Sequence, residues 1–245
     1  MEKTHNIEQK DSQWIPYNKK NKRDETMAQL WIKPLLSWLS HHQHLQLPQL
    51  TNSRVLDFGC GYLDLGIGLH SFSCKVDGFD IDPWAREVSQ QRLRKLQMTG
   101  QIFQATEDIP DGRYDIIVVN SVFQYLRDLE DLRQQIALLK TKLAPKGCML
   151  ICDLIPSVYS PQKDAFHSLY YAFINGCFVP MLKHLWYAAT KKSNLKLLQI
   201  DRSTIFEVAQ ESGFICNFLD HNLTPSPYRY SVVFSAADER CQPLI

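Results

Sequence analysis

The sequence predicts a doubly wound α/β fold on three observations. Short apolar runs alternate with segments of helical periodicity after residue 53, the central runs are apolar at consecutive positions, and glycines and carboxylates gather where the runs end. A run such as Ile116–Val119, apolar at every position, has both of its faces buried. That is the condition of a parallel strand covered by helices on both sides.

The elements follow in order. Residues 1–25 are polar, and Lys19, Lys20, Lys22 and Arg23 form a basic run that reads as a solvated helix face or arm. From Met27, the positions of Leu30, Trp31, Leu35, Trp38 and Leu39 fall on one side of a helix. His41, His42 and His44 then read as a polar loop, since a metal site needs further ligands and partners to orient them. Arg54–Phe58, Lys75–Asp80, Gln101–Gln104, Tyr114–Asn120 and Gly147–Asp153 read as strands. Between the last two, Leu129, Leu132, Ile136, Leu139 and Leu143 step by 3, 4, 3 and 4, giving a helix with one buried stripe that Pro145 and Gly147 end. Residues 156–202 are too long for a connection and carry Phe166, Tyr170, Tyr171, Phe173, Phe178, Trp186 and Tyr187, so they are expected to form helices that cover something. Ser203 or Thr204 caps a helix through Glu211, Gly213 stops it, and strands follow at Phe214–Leu219 and Tyr228–Ser235.

Composition excludes several classes of function. With 245 residues, 44% of them hydrophobic and 22% charged, the chain can bury a core and is not a disordered one. The balance of 27 Lys and Arg against 26 Asp and Glu is wrong for affinity built on neutralising phosphates, so nucleic acid is not the expected partner. Seven scattered cysteines without a CxxC pair indicate neither a disulfide framework nor a zinc site, and the reading is of reduced thiols in a cytoplasmic chain. No apolar stretch is long enough to be a membrane span.

In open α/β sheets, ligands sit at the carboxyl ends of the strands near the point where strand order reverses. The first run ends in Asp57-Phe58-Gly59-Cys60-Gly61, where the glycines let the chain turn and bring bare backbone to a ligand. The next ends in Asp80, nineteen residues after Gly61, where a carboxylate can accept both hydroxyls of a ribose. Together they describe a nucleoside site. The dinucleotide fingerprint wants a third glycine where this chain has Asp64, which counts against a pyrophosphate at that helix start.

In their order and spacing, Val55–Gly61 (VLDFGCG), Gly78–Pro83 (GFDIDP), Tyr114–Leu126 (YDIIVVNSVFQYL) and Leu143–Asp153 (LAPKGCMLICD) resemble the successive motifs of class I S-adenosylmethionine-dependent methyltransferases. The resemblance implies a Rossmann-like, seven-stranded sheet, parallel except for an antiparallel last strand. It divides the chain into an N-terminal helical cap segment (1–53), a cofactor-binding core (54–155), a substrate lid insert (156–202), and the completion of the core with a tail (203–245). It also implies that Asp57, Gly59 and Gly61 surround the methionine moiety of S-adenosylmethionine, that Asp80 holds the ribose, that Ile81 lies against the adenine and that Asn120 faces the amino-acid part. Two positions depart from the family. Leu63 stands where a third small residue is usual, and Ala105 stands where an Asp often meets the adenine amino group, so Thr106 or Glu107 backbone, or the Glu107 or Asp108 side chain, is expected to substitute.

The acceptor must be read from what lies outside the shared core. Asn120-Ser121-Val122-Phe123 is not the N-P-P-Y type of sequence linked to methylation of exocyclic base nitrogens, and Asp153 alone makes a poor magnesium site. The expectation is metal-independent transfer to a small, largely apolar or aromatic molecule, with oxygen the favoured acceptor atom. His167, Tyr170 and Tyr171 are candidates for the base or for positioning. His184 and Tyr187 in the insert, and Trp14 and Tyr17 before the first helix, are candidates for substrate contact. Three other readings share these motifs: a tRNA or rRNA methyltransferase, a nicotinamide-dependent oxidoreductase, and a non-catalytic methyltransferase-like partner protein.

Overall fold

Residues 25–41, 48, 50–190 and 196–236 are described by the computed structural model. Seven strands form one sheet in the order β3-β2-β1-β4-β5-β7-β6. They are β1 (Arg54–Phe58), β2 (Lys75–Phe79), β3 (Ile102–Phe103), β4 (Tyr114–Asn120), β5 (Leu143–Leu154), β6 (Phe214–Phe218) and β7 (Tyr230–Ala236). β1 to β5 run parallel, and β7 runs antiparallel to both β5 and β6. The helices are α1 (Glu25–His41), α2 (Asp64–His70), α3 (Pro83–Lys95), α4 (Leu129–Lys142), α5 (Pro161–Ile174), α6 (Phe178–Thr190) and α7 (Arg202–Glu211).

The apolar run of β4 divides between two cores. Ile117 and Val119 face one, with Leu132, Ile136 and Leu139 of α4 and Ile205 and Val208 of α7. Ile116 and Val118 face the other, with Leu35 and Trp38 of α1 and Leu65 and Leu69 of α2. Each of these four helices presents an apolar stripe to one sheet face, so the middle strands carry no polar side. Local chemistry sets the helix starts. Asp82 accepts the Trp84 N–H at 2.9 Å with Pro83 at the first helical position, and Asp128 accepts the Asp131 N–H at 2.9 Å.

Strand ends shift from the sequence reading, as at β3 (102–103, not 101–104) and β7 (230–236, not 228–235), and three further departures have a local reason. Leu143 does not end the α4 stripe; it begins β5, where it pairs with Tyr114 ahead of a register irregularity, so ladder pairing outweighs the helical period there. His41 is not in a loop but is the last residue of α1, its Nδ1 lying 2.7 Å from the Ser37 carbonyl oxygen at the helix end. The N-cap of α7 is Asp201 rather than Ser203 or Thr204, and its carboxylate accepts the Ser157 N–H at 2.8 Å instead of an N–H of its own helix. Gly213, at φ 71°, ends α7 as expected.

Among the described residues the cysteines are free thiols, and no helix is long and apolar enough to cross a membrane. The basic run Lys19–Arg23, His42, His44, Trp14 and Tyr17 lie outside the described residues, as does the side chain of Tyr187.

Candidate active site

From β1 the chain order runs outward both ways, so the strand order reverses between β1 and β4. Phe58 and Val119 are in register, which puts Gly59 and Asn120 side by side where both strands end. This is the crevice where such sheets take ligands.

The loop after β1 is held from several sides. Gly59 and Cys60 both donate their N–H to the Phe79 carbonyl, at 2.7 and 2.9 Å, and Ser89 of α3 donates to the Gly61 carbonyl at 2.7 Å. Gly59 sits at φ 79°, and a Cβ there would lie 2.3 Å from Val122 Cγ2, so both its conformation and its neighbour require glycine. Beyond it, Leu63 occupies the left-handed region at φ 61°. Its buried side chain joins Cys60 and Leu93 and fills the space that the missing side chain of Gly66 leaves. The departure at Leu63 is thus absorbed in packing behind the loop. Asp64, in the first turn of α2, pairs with Arg92 at 2.8 Å, which places a carboxylate where a dinucleotide fold would hold its pyrophosphate.

Asp80 follows β2 directly. Its two carboxylate oxygens accept the Gly61 and Asp82 N–H groups, each at 2.8 Å. Burial raises its pKa above the usual carboxylate value, and those two N–H bonds offset only part of the effect. Each oxygen keeps a lone pair for a further donor. Ile81 beside it is 63% exposed, an apolar side chain on display at the strand end. Asp57 is buried within β1, and the N-cap of the following helix is Leu63. After Ala105, Thr106–Asp108 forms a single 3₁₀ turn with Thr106 buried and Glu107 and Asp108 exposed. At the end of β4, Asn120 Oδ1 is buried without a hydrogen-bond partner among the described residues, a condition that costs about 1–3 kcal/mol unless a ligand supplies a donor.

A second cluster lies beside the first, at the ends of β4 and β5. Ser121 and Asp153 are both non-glycine residues in the left-handed region, at φ 59° and 70°. Backbone held there is strained and gathers at functional sites. Asp153 accepts from Ser121 Oγ at 2.8 Å, Thr224 Oγ1 at 2.7 Å, Asn222 Nδ2 at 3.4 Å and Arg229 Nη1 at 2.7 Å. Arg229 Nη2 then reaches Asp164 of α5 at 2.9 Å and the Tyr159 hydroxyl at 3.1 Å, and Ser226 donates to Asp164 from the other side. Burial pulls the Arg229 pKa down, but Asp153 and Asp164 more than offset it, so the guanidinium is held charged above its usual range. Burial and the hydrogen bond to Asp164 push Tyr159 up to about 12.

Sequence reasoning missed this cluster apart from Asp153. Arg229 lies 65 residues after Asp164 and 76 after Asp153, so no spacing in the chain announces their meeting.

The insert separates its candidates by helix face. His167 lies three residues after Asp164, on the same side of α5, with its ring edge-on to Tyr228 at 6.3 Å. Tyr171 continues that side but packs edge-on against Trp31 of α1 at 5.8 Å. Tyr170 is exposed, in line with Phe166 and Phe173, and so is not brought together with His167. His184 is half-buried on α6, and burial lowers its pKa below the usual imidazole value. No three His, Cys, Asp or Glu among the described residues converge on a possible metal site. A cleft of about 360 Å³ among Arg54, Lys75, Asp77, Thr99 and Arg113 opens near the opposite end of the strands, away from these groups.

Known proteins resemble this chain in sequence and in fold. A family model described as a methyltransferase domain matches residues 25–200. Among curated proteins, the ribosomal protein L11 methyltransferase of Ralstonia pickettii is 26% identical over 121 residues, 49% of this chain and 36% of that protein. The protein of the same name from Burkholderia mallei is 29% identical over 122 residues, 49% and 37% respectively. The chain therefore matches little more than a third of these relatives' length. Among solved structures, magnesium protoporphyrin IX methyltransferase from Synechocystis PCC 6803 with bound S-adenosylhomocysteine has a TM-score of 0.56 at 16% identity, covering 88% of this chain and 86% of that one. A SAM-dependent methyltransferase from Aquifex aeolicus has a TM-score of 0.54 at 15% identity, covering 90% and 97%. At such identities the likeness is one of fold.

Proposed function

Because the chain belongs to the methyltransferase-domain family, in its class I S-adenosylmethionine-dependent branch, we propose that it moves a methyl group from S-adenosylmethionine to a small, largely apolar or aromatic acceptor, on oxygen and without a metal. The observation that carries this reading is the buried, unpartnered Asn120 Oδ1 beside the Gly59 loop at the switch point. It is an acceptor waiting for a donor such as the ammonium of the cofactor's amino-acid part. Asp80 would take the ribose hydroxyls, Ile81 would lie along the adenine, and Asp57, Gly59 and Gly61 would border the methionine end. The Thr106–Glu107 turn would meet the adenine edge in place of the Asp that Ala105 replaces.

Bound S-adenosylmethionine supplies a methyl on a sulfonium that is already a good leaving group. The protein has to align an acceptor atom and keep water away, and alignment alone can lower such a barrier by roughly 7–11 kcal/mol. The Ser121–Asp153–Arg229–Asp164 cluster gives that alignment a rigid wall, because it ties two strand ends to α5. His167, on the wall side of α5 and edge-on to Tyr228, would orient the acceptor or take its proton. Asp153 has four donors on its two oxygens, which fills a carboxylate's acceptor capacity and leaves no lone pair for a metal.

Calorimetry tests the cofactor: S-adenosylhomocysteine should bind, NADH should not, and Asp80→Ala should abolish binding with the fold intact. Tighter binding of NADH, or none of either, overturns the reading. The curated relatives favour a second acceptor class, protein. Labelled methyl from S-adenosylmethionine, followed in a cell extract, should enter the small-molecule fraction; entry into protein would establish the second reading.

A further inference from the structure

The α5–α6 hairpin carries two apolar faces where packing on one side needs only one. Its inner face, Ala172, Cys177 and Met181, is buried against Met27, Leu30 and Trp31 of α1. Its outer face shows Phe166, Tyr170 and Phe173 on α5 and Val179, Leu182 and Trp186 on α6, each set at helical spacing. Phe166 is 74% exposed and Trp186 69%. Six large apolar side chains on two adjoining helices exceed the scattered exposure that needs no explanation, and a patch of this kind marks an interaction site.

Charge selects the occupant. The charged residues of α5 and α6 are Lys163, Lys183 and Asp164, and Asp164 is buried against Arg229. The exposed charge on the two helices is therefore the pair Lys163 and Lys183, with no exposed acid beside it. A second copy docked face to face would set these lysines against their own copies across a two-fold axis. An anionic lipid surface complements both features, taking aromatic and aliphatic side chains into the headgroup boundary and lysines to the phosphates. The helices, of 14 and 13 residues, are too short to span and suited to lying flat. We propose that the outer face of α5 and α6 docks on the surface of an anionic lipid bilayer. Docking and the candidate active site share one helix, since the other side of α5 carries Asp164 and His167.

Flotation of the full chain with vesicles tests this, using phosphatidylcholine alone and phosphatidylcholine with phosphatidylglycerol. The anionic vesicles should capture the protein, and rising salt should release it. Phe166→Ser with Trp186→Ser should weaken capture at least about tenfold, because each removes a side chain whose burial is worth a factor of ten or more. These positions are exposed, so circular dichroism should be unchanged. Lys163→Glu with Lys183→Glu, which leaves the apolar face whole, should remove the preference for anionic vesicles. Three results would overturn the proposal: no capture at low salt, equal capture of the serine variant, or a dimer in lipid-free solution that the serine variant dissolves.

Discussion

Arg229, just ahead of β7, holds the buried Asp153 at the end of β5 through a largely buried ion pair of 2.7 Å, and the same guanidinium reaches the buried Asp164 on α5 at 2.9 Å. One side chain thereby joins the antiparallel end of the sheet, the parallel strand beside it and the helical insert. Replacing Arg229 by Met leaves two carboxylates buried without their cation, which costs about 3–5 kcal/mol. The melting temperature should fall by roughly 10 °C. Asp164→Asn in the Met background should recover part of the loss, since the two changes act on one network; strict additivity in a thermal melt would show that the network is not coupled.

Asp80 should make cofactor binding pH-dependent. Burial raises its pKa above the ordinary 3.8, so there is a window in which the folded chain keeps a proton that the unfolded chain has released. Its stabilising contribution is full below the unfolded value and is lost as pH rises through the folded one. Ribose binding wants the ionised form and so runs the other way. Affinity for S-adenosylhomocysteine should rise as pH climbs out of the ordinary carboxylate range, and Asp80→Asn should flatten that rise in a calorimetric series.

Gly59→Ala should nearly eliminate cofactor binding. Its Cβ would meet Val122 Cγ2 at 2.3 Å, and its φ of 79° adds roughly 1–2 kcal/mol of backbone strain for any L side chain. Adding Val122→Ala removes the steric part only. The double variant should regain measurable but incomplete affinity for S-adenosylhomocysteine.

Gly66→Ala separates stability from binding. The added methyl would lie 2.6 Å from Leu63 Cδ1 inside a packed cluster, an overpacking that costs about 1–3 kcal/mol. The urea midpoint should drop, while affinity for S-adenosylhomocysteine changes far less than with Gly59→Ala.

Much of the cofactor side was legible because its signals are local. Gly59, Gly61 and Asp80 lie on strand ends that the apolar runs themselves mark, and the hydrogen bond between Gly61 and Asp80 spans only adjacent strands. Leu63 shows where local reading stops. In the chain it is a misfit at a position that wants a small residue, and only its packing against Gly66, Cys60 and Leu93 turns the misfit into a fit. The insert was legible as aromatic and helical, but one-dimensional composition could not tell Tyr171, which packs on Trp31, from Tyr170, which faces outward.

By itself, then, the sequence determined the alternation of strands and helices, the two-sided burial of β4, and the glycine and carboxylate ends that suit a nucleoside. These follow from periodicity and from residue chemistry within a few positions of one another. Tertiary structure alone decided that Arg229, Asp153 and Asp164 meet, that the Asn120 Oδ1 atom is buried and unpartnered among the described residues, and that α5 turns one face to the site and another outward. Such relations depend on which segments the sheet order brings together, and contacts across 65 or more residues leave no periodic trace in the chain.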